Sequence, residues 1–472
     1  MTSTVTNHIE ASSSNHKGVE QPKAPCSSDL QSEKTSPAAM EKSALNSEPS
    51  LLMETIVDES NRERAWRKIK ANKGAPGPDG ITLDEFPESF RHHWPEVHQQ
   101  LLEGTYRPGP ARRKSIPKPD GSLRHLGIPN VIDRLIQQAI LQVLTPIFDP
   151  SFSESSFGFR PKRSAHGAIK QIQHTIRNGF RWCVDMDLSK FFDRVQHDVL
   201  MARVSRRVHD QRLLKLIGRY LRAGVMVEGL IQPSAEGTMQ GGPLSPLLAN
   251  ILLDDFDKEL EARGHRFIRY ADDFLVFVKS EVAAQRVFDS VERYLPTKLK
   301  LVVNRDKSRV CRTAGVEFLG YQFHGYGGQI RVSPKNVRKI KQRAREILNR
   351  NRGISMTRRL NELRLYLRGW IDYFVLEQRK SIAITLDKWL RRRVRACYWT
   401  SWRLPRTRLR RLKALGIPYE DGYPFAHSGK GPWRLSMTSG VQRAMSNRWL
   451  TAQGLFVLAD RWSELAPKRR TA

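Results

Sequence analysis

Apolar positions recur along this chain at two spacings. The stretch Phe267-Ile268-Arg269-Tyr270-Ala271-Asp272-Asp273-Phe274-Leu275-Val276-Phe277-Val278 is aromatic and β-branched except where two adjacent carboxylates interrupt it, which predicts a strand, a tight turn and a second strand. Residues 182–193, beginning Trp182-Cys183-Val184-Asp185-Met186-Asp187, predict another apolar strand running into carboxylates. Ile116-Pro117-Lys118-Pro119-Asp120-Gly121-Ser122-Leu123-Arg124-His125-Leu126-Gly127-Ile128-Pro129 predicts a hairpin closed at Pro-Asp-Gly-Ser, with cations on both arms.

Helical spacing dominates elsewhere. It begins near Leu51 and governs Val131-Ile132-Asp133-Arg134-Leu135-Ile136, whose apolar positions core packing explains without chemistry. It returns in Val337-Ile340-Ala344-Ile347, in Leu360-Leu363-Leu367-Trp370-Phe374 and in Leu386-Trp389-Leu390-Val394, three amphipathic helices. Residues 1–50 have neither spacing. They contain no aromatic residue, are rich in Ser, and carry 4 basic and 6 acidic residues, so a disordered tail is expected there.

Composition sharpens this picture. At 472 residues and 39% hydrophobic content the chain is long enough for two or three domains with their own cores. No apolar run is expected to approach the roughly 18 or more residues of a membrane span, and the basic-then-apolar layout of a signal peptide is not recognised, so a cytoplasmic protein is expected. Cys26, Cys183, Cys311 and Cys397 lie far apart, without the spacing of a zinc site, and no disulfide is expected. The net charge is +32, from 80 Lys+Arg against 48 Asp+Glu, and calls for a polyanionic partner. Residues 331–415 hold 26 Lys+Arg and only 5 Asp+Glu. A charge run is usually a solvated face, but this one lacks the acidic residues that normally alternate with it.

The carboxylates carry the chemistry. An Asp-Asp pair alone is commonly a polar turn. Two anions at the tip of a buried hairpin repel, however, and a divalent cation offsets that cost. Two-metal phosphoryl transfer needs carboxylates from separate strands, because cations roughly 3.5–4 Å apart are bridged from more than one direction. Asp187 together with Asp272 and Asp273 supplies such a set.

These residues resemble a known family. Tyr270-Ala271-Asp272-Asp273 is similar to the YxDD hairpin of reverse transcriptases, and Asp187-Leu188-Ser189-Lys190-Phe191-Phe192-Asp193 to their preceding palm motif. With Met239-Gln240-Gly241-Gly242-Pro243-Leu244-Ser245-Pro246 between them, the order resembles the group II intron reverse transcriptase/maturases, over about residues 55–450. The resemblance implies an α/β (α+β) right-hand polymerase: fingers and palm at 51–330, built of antiparallel sheet and helices, an all-helical thumb/maturase domain at 331–415, and a basic segment at 416–472 that touches target DNA. The sequence departs from full-length members of the family in that no His/Cys-rich endonuclease module is recognised in it, so none is expected.

The resemblance also implies roles. Asp187, Asp272 and Asp273 would be catalytic and, with Leu188, would hold two Mg²⁺ ions. Lys118, Arg124, Arg160, Phe192, Gln240 and Lys307 would contact the nucleotide, Phe192 as a bulky ring excluding a 2′-hydroxyl; nothing in the residues separates Arg160 from Arg163. The paired glycines of the Gln240 stretch would let a template strand approach. Lys73, in a basic Gly/Pro-rich turn, and Arg364, Arg368, Arg391, Arg392 and Arg393 would bind RNA. The partners implied are group II intron RNA, a DNA target and primer, and deoxynucleoside triphosphates, with no membrane; a homodimer is compatible. Two rival readings share the motifs: a reverse transcriptase of another bacterial retroelement or defence system, and a splicing factor with an inactive palm.

Overall fold

The computed structural model describes residues 51–117, 121, 123–227, 230–232, 237–238 and 241–467. The expected tail at 1–50, the hairpin tip with Lys118, and Gln240 lie outside the described residues.

The chain opens with helices α1 (Leu52–Val57), α2 (Glu59–Ala71) and α3 (Phe86–Leu102). Asp58 starts α2 by accepting hydrogen bonds from the N–H groups of Ser60 and Asn61, while Lys68 and Lys70 oppose the dipole at its end. Strands β1 (Ala111–Pro117) and β2 (Leu123–Ile128) form the predicted antiparallel hairpin, Ile116 opposite Arg124. Helix α4 (Val131–Phe148) follows.

One expectation fails here. The helical stretch from Val131 to Ser151 is long and apolar enough, with mean hydropathy 1.2, to cross a membrane by length and composition. Its surroundings explain the composition: 61% of that window is buried within the protein, and α4 sits in the fingers core against α2.

Helix α5 (Ala165–Arg177), started by Ser164 accepting from the Gly167 N–H, leads into β3 (Trp182–Met186). Helices α6 (His197–Val204) and α7 (Gln211–Arg222), strands β4 (Val225–Val227) and β5 (Leu230–Gln232), and helix α8 (Ser245–Ala262) come next. Strands β6 (Arg266–Tyr270) and β7 (Asp273–Val278) make the central hairpin, followed by α9 (Glu281–Tyr294) and β8 (Arg309–Arg312). The palm sheet has the order β6-β7-β3-β8, every neighbour antiparallel. A fingers sheet runs β2-β1-β4-β5.

Both faces of the palm sheet are covered, which is why β7 reads as a continuous apolar run. Phe274, Val276 and Val278 join one core with α4, α7 and α8, and Leu275 and Phe277 join a second with α5 and the thumb. Side chains of a strand alternate between faces, so adjacent residues of β7 serve different cores.

Strands β9 (Glu317–Phe318), β10 (Tyr321–His324) and β11 (Gln329–Val332) form a small antiparallel sheet leading into the thumb. The three expected helices are α10 (Pro334–Ile347), α11 (Met356–Tyr373) and α12 (Lys380–Ser401). Ser333 and Ser355 cap the first two, accepting from the N–H groups of Asn336 and Arg358.

Among the described residues six shorter helices follow: α13 (Pro405–Ala414), α14 (Tyr419–Ala426), α15 (Pro432–Leu435), α16 (Ser439–Ala444), α17 (Asn447–Ala452) and α18 (Leu458–Glu464). They are docked on the thumb. The Asp387 carboxylate of α12 accepts from the N–H groups of Leu458 and Ala459, and Arg461 grips Asp372 of α11 at 2.8 and 3.1 Å.

Candidate active site

The palm sheet brings the carboxylates together by register. Strands β3 and β7 pair antiparallel with Asp185 opposite Leu275 and Met186 opposite Phe274, so the next step along both strands sets Asp187 against Asp273. Tyr270 pairs with Asp273, leaving Ala271 and Asp272 as a two-residue turn. Ala271 has φ +59°, a region costly for a residue with a Cβ, and contacts from outside the turn hold it there.

That packing comes from residues that the sequence patterns did not single out. Arg269 is fully buried and spends its guanidinium on three neighbours: Asp257 at 2.5–3.0 Å, the Asn250 side-chain oxygen at 2.9 Å and the Ala271 carbonyl at 3.0 Å. Asn250 in turn donates to the Gly158 carbonyl at 2.9 Å. Gly158 lies so near the turn that a Cβ there would stand 2.3 Å from the Ala271 nitrogen. The signal was available, since an arginine inside an otherwise apolar strand needs a buried acid, and Asn250 and Asp257 lie seven apart on one face of α8.

Asp187 is held from the other side. Its carbonyl accepts from the Asn304 N–H at 2.8 Å, its N–H donates to Ser308 Oγ at 3.1 Å, and its carboxylate meets Asn304 Nδ2 at 3.2 Å and Lys307 Nζ at 3.7 Å. Burial, then the charges of Asp272, Asp187 and Asp185, push the Asp273 carboxyl up to about 6. Burial and Asp187 also raise Asp272, against the opposing pull of Arg124 and Arg269. The three carboxylates therefore share one electrostatic environment.

This set fits a divalent cation in donor type and in charge: hard oxygens, crowded enough that the carboxyls of Asp272 and Asp273 are raised, are what such an ion relieves. It is not a finished cage. Among the described residues no three His, Cys, Asp or Glu side chains are already gathered at ligand spacing. Like charges repel, and Asp187 is turned toward Lys307 and Asn304. The side chain of Leu188 is buried, and its bridge to Val303 leaves only a backbone carbonyl as a ligand candidate.

Comparison with known proteins agrees with this geometry. Residues 116–323 match the model of the reverse transcriptase (RNA-dependent DNA polymerase) family, and residues 337–416 match the group II intron maturase-specific domain. The chain is 34% identical over 312 residues to protein YkfC of Escherichia coli (strain K12), covering 57% of itself and 82% of that protein. It is 30% identical over 324 residues to the group II intron-encoded protein LtrA of Lactococcus lactis subsp. cremoris, covering 54% of each. This chain belongs to the group II intron reverse transcriptase/maturases. It spans about half the length of LtrA. Among solved structures, a chain of a partial Cas6-RT-Cas1–Cas2 complex is 28% identical, with 52% of this chain and 43% of that one covered and a TM-score of 0.34.

Within this reverse transcriptase/maturase fold the remaining candidates separate. Arg124, on β2, is exposed and its charge reaches Asp272. Phe192 is half-buried, its ring 5.1 Å from that of buried Phe191 and edge-on to it. Lys190, with φ +48°, turns the chain between Asp187 and this pair.

Arg160 corrects an expectation. Its side chain is 4% exposed and makes four hydrogen bonds, donating to Asp149 Oδ1 at 2.7 Å and to the carbonyls of Asp149, Ser153 and Ser156. A guanidinium that makes four hydrogen bonds inside the protein and is almost wholly buried organises its own loop and is not presented to a nucleotide. Arg163 pairs with Glu154. The paired glycines are also explained within the protein, because a Cβ on Gly241 would stand 2.5 Å from the Gly127 carbonyl and one on Gly242 2.5 Å from Gln137 Oε1.

The maturase-specific region exposes its cations unevenly. Arg364 is exposed and Arg391 half-buried, and neither has an ion-pair partner among the described residues. Arg368 reaches Asp372 at 3.9 Å. Arg392 lies over Trp433 with its guanidinium carbon 3.9 Å from the ring centroid, and Arg393 stands near Trp389 and Trp433 at 5.4 and 5.8 Å. Lys73 is exposed, with φ +48°, just beyond α2.

Proposed function

We propose that this reverse transcriptase/maturase is an active RNA-directed DNA polymerase, in which a primer 3′-hydroxyl attacks the α-phosphate of a deoxynucleoside triphosphate and releases pyrophosphate. The observation that carries this reading is that the β3–β7 register runs toward Asp187 and Asp273, whose charges interact, with Asp272 on a turn pinned by Arg269. Asp187, Asp272 and Asp273 would hold two Mg²⁺ ions, which supply activation of the hydroxyl and neutralisation of the leaving pyrophosphate. The chain's own contributions are positional. The charge of Arg124 reaches Asp272, and a guanidinium fork suits triphosphate oxygens. Lys307 balances Asp187 at 3.7 Å and stands ready to meet a phosphate. The Phe192 ring would lie under the sugar and exclude a 2′-hydroxyl by volume.

A maturase domain implies intron RNA as a partner, and the unpaired cations Arg364 and Arg391 of the thumb are its contact points in this reading. A DNA target and primer, and a cytoplasmic location, belong to the same proposal. Primer extension on a poly(rA)/oligo(dT) template tests it. Asp272→Asn is expected to abolish synthesis and leave affinity for a transcribed group II intron RNA unchanged. Retained synthesis by the variant would remove the catalytic assignment.

A further inference from the structure

Four cysteines that are remote in sequence include two that are neighbours in space. Cys183 of β3 stands directly opposite Cys311 of β8, with their Sγ atoms 3.6 Å apart across 128 residues of chain. Both are free thiols. The third described cysteine, Cys397, is a separate case, buried in α12 and donating to the Leu348 carbonyl at 3.2 Å.

The strand geometry permits a bond between the pair. The Thr313 N–H donates to the Arg181 carbonyl at 2.9 Å, which makes 181 and 313 a hydrogen-bonded pair; by alternation 183 and 311 are another. Opposed residues of that class have Cα atoms roughly 5.5 Å apart, inside the span of about 4.4–6.8 Å that a disulfide bridges. Closing it requires only side-chain rotation and a small approach of two strands already paired.

The two thiols are also unequal. Cys183 is buried, whereas Cys311 is partly exposed between the exposed arginines Arg309 and Arg312. The hydrogen bond between the two thiols and the charge of Arg309 hold the Cys311 thiol below its ordinary range, and the same hydrogen bond, with burial, pushes Cys183 up. Cys311 is thus the nucleophile that solvent reaches, and Cys183 the thiol that resolves.

We infer that Cys183 and Cys311 are a site of reversible oxidation, closing to a cross-strand disulfide when the protein meets a small-molecule disulfide such as oxidised glutathione. The Cys311 thiolate attacks one sulfur of the oxidant, forming a mixed disulfide and expelling one glutathione thiolate, which takes up the proton Cys311 gave up. Cys183 then attacks Cys311 Sγ, its S–H proton passing to the second departing glutathione. One oxidant disulfide is reduced to two thiols as the protein's two thiols are oxidised to one disulfide. The product staples the strand that ends just before Asp187 to the strand that follows the Asn304–Ser308 loop, the loop that holds Asp187 in place. The site is independent of whether the palm polymerises DNA.

The test is to expose the full chain, natively folded, to oxidised glutathione, alkylate the free thiols, and map peptides by mass spectrometry. The expected product is a Cys183–Cys311 linked peptide lacking two hydrogens, reversed by dithiothreitol, with Cys26 and Cys397 alkylated after unfolding. Thermal unfolding should shift upward by several degrees in the wild type and not in Cys311→Ser, while Cys183→Ala should trap glutathione on Cys311. A lasting glutathione adduct on wild-type Cys311, linkage through Cys26 or Cys397, or full alkylation of both palm thiols would overturn the inference.

Discussion

The guanidinium of Arg269 donates to the carbonyl of Ala271, two residues ahead in the same hairpin, at 3.0 Å. The contact ties the position of Asp272 to a buried ion pair, because Asp257, equally inaccessible to solvent, binds the same guanidinium. The strained turn is therefore held by charge as well as by packing. Removing one partner of a buried pair strands the other and costs about 3–5 kcal/mol. Asp257→Ala should lower unfolding free energy by that amount in urea titrations. Arg269→Lys keeps the charge but loses the fork that reaches both Asp257 and Ala271. It should remain folded while kcat for primer extension drops roughly tenfold, about 1.4 kcal/mol of barrier. A folded Arg269→Lys protein with undiminished kcat would show that the turn does not depend on this contact.

Phe192 presents a different kind of constraint. Its ring is braced by Phe191, and its backbone carbonyl accepts from the Thr238 N–H at 2.6 Å. A braced ring discriminates by volume and not by hydrogen bonding. Phe192→Ala should therefore reduce the preference for deoxy- over ribonucleotides by roughly tenfold or more, measured as the ratio of kcat/KM values. An unchanged ratio would return Phe192 to the core.

Much of this architecture was legible because local pattern and tertiary role coincide. The hairpin at Asp272 and Asp273, the strand before Asp187 and the three thumb helices announce themselves by period. What was not legible depends on partners remote in sequence. Arg160 sits in a cationic loop and reads as a ligand-binding residue, yet the carbonyls of Ser153 and Ser156 consume it. Arg269 reads as a stray charge in a strand until α8 supplies Asp257. Cys183 and Cys311 meet only because β3 pairs with β8. The apolar run of α4 looks like core or membrane alike, and only its surroundings decide.

A buried carboxylate in the fingers makes stability depend on pH. Asp133 accepts from the hydroxyls of Tyr106 and Tyr220 at 3.0 and 3.2 Å and from the Gly109 N–H at 3.3 Å, and burial still pushes it up to about 6 from an ordinary value of 3.8. The folded state thus binds the proton more tightly than the unfolded chain. Its contribution to stability is greatest below the unfolded value and is lost as pH rises through about 6, a swing on the order of 3 kcal/mol. Asp133→Asn removes the titration. The stability of wild type relative to this variant, taken from urea melts, should therefore increase as pH falls from 7.5 toward 4.5. A difference independent of pH would mean that Asp133 ionises as readily folded as unfolded.

The thumb cations divide into those that hold the protein and those free to hold RNA, and salt dependence should separate them. Arg392 lies over Trp433 and donates to its carbonyl at 3.2 Å, so Arg392→Ala should lower the melting temperature by loosening the α15 helix from α12. Arg364 and Arg391 have no such partner among the described residues. Every phosphate that a side chain ceases to neutralise reduces the dependence of log affinity on log salt by roughly one unit. The double variant Arg364→Ala/Arg391→Ala should therefore melt as wild type does and bind a transcribed group II intron RNA with a slope shallower by about two, read from filter binding across a salt series. Unchanged slope with unchanged melting would place the RNA on another face of the thumb.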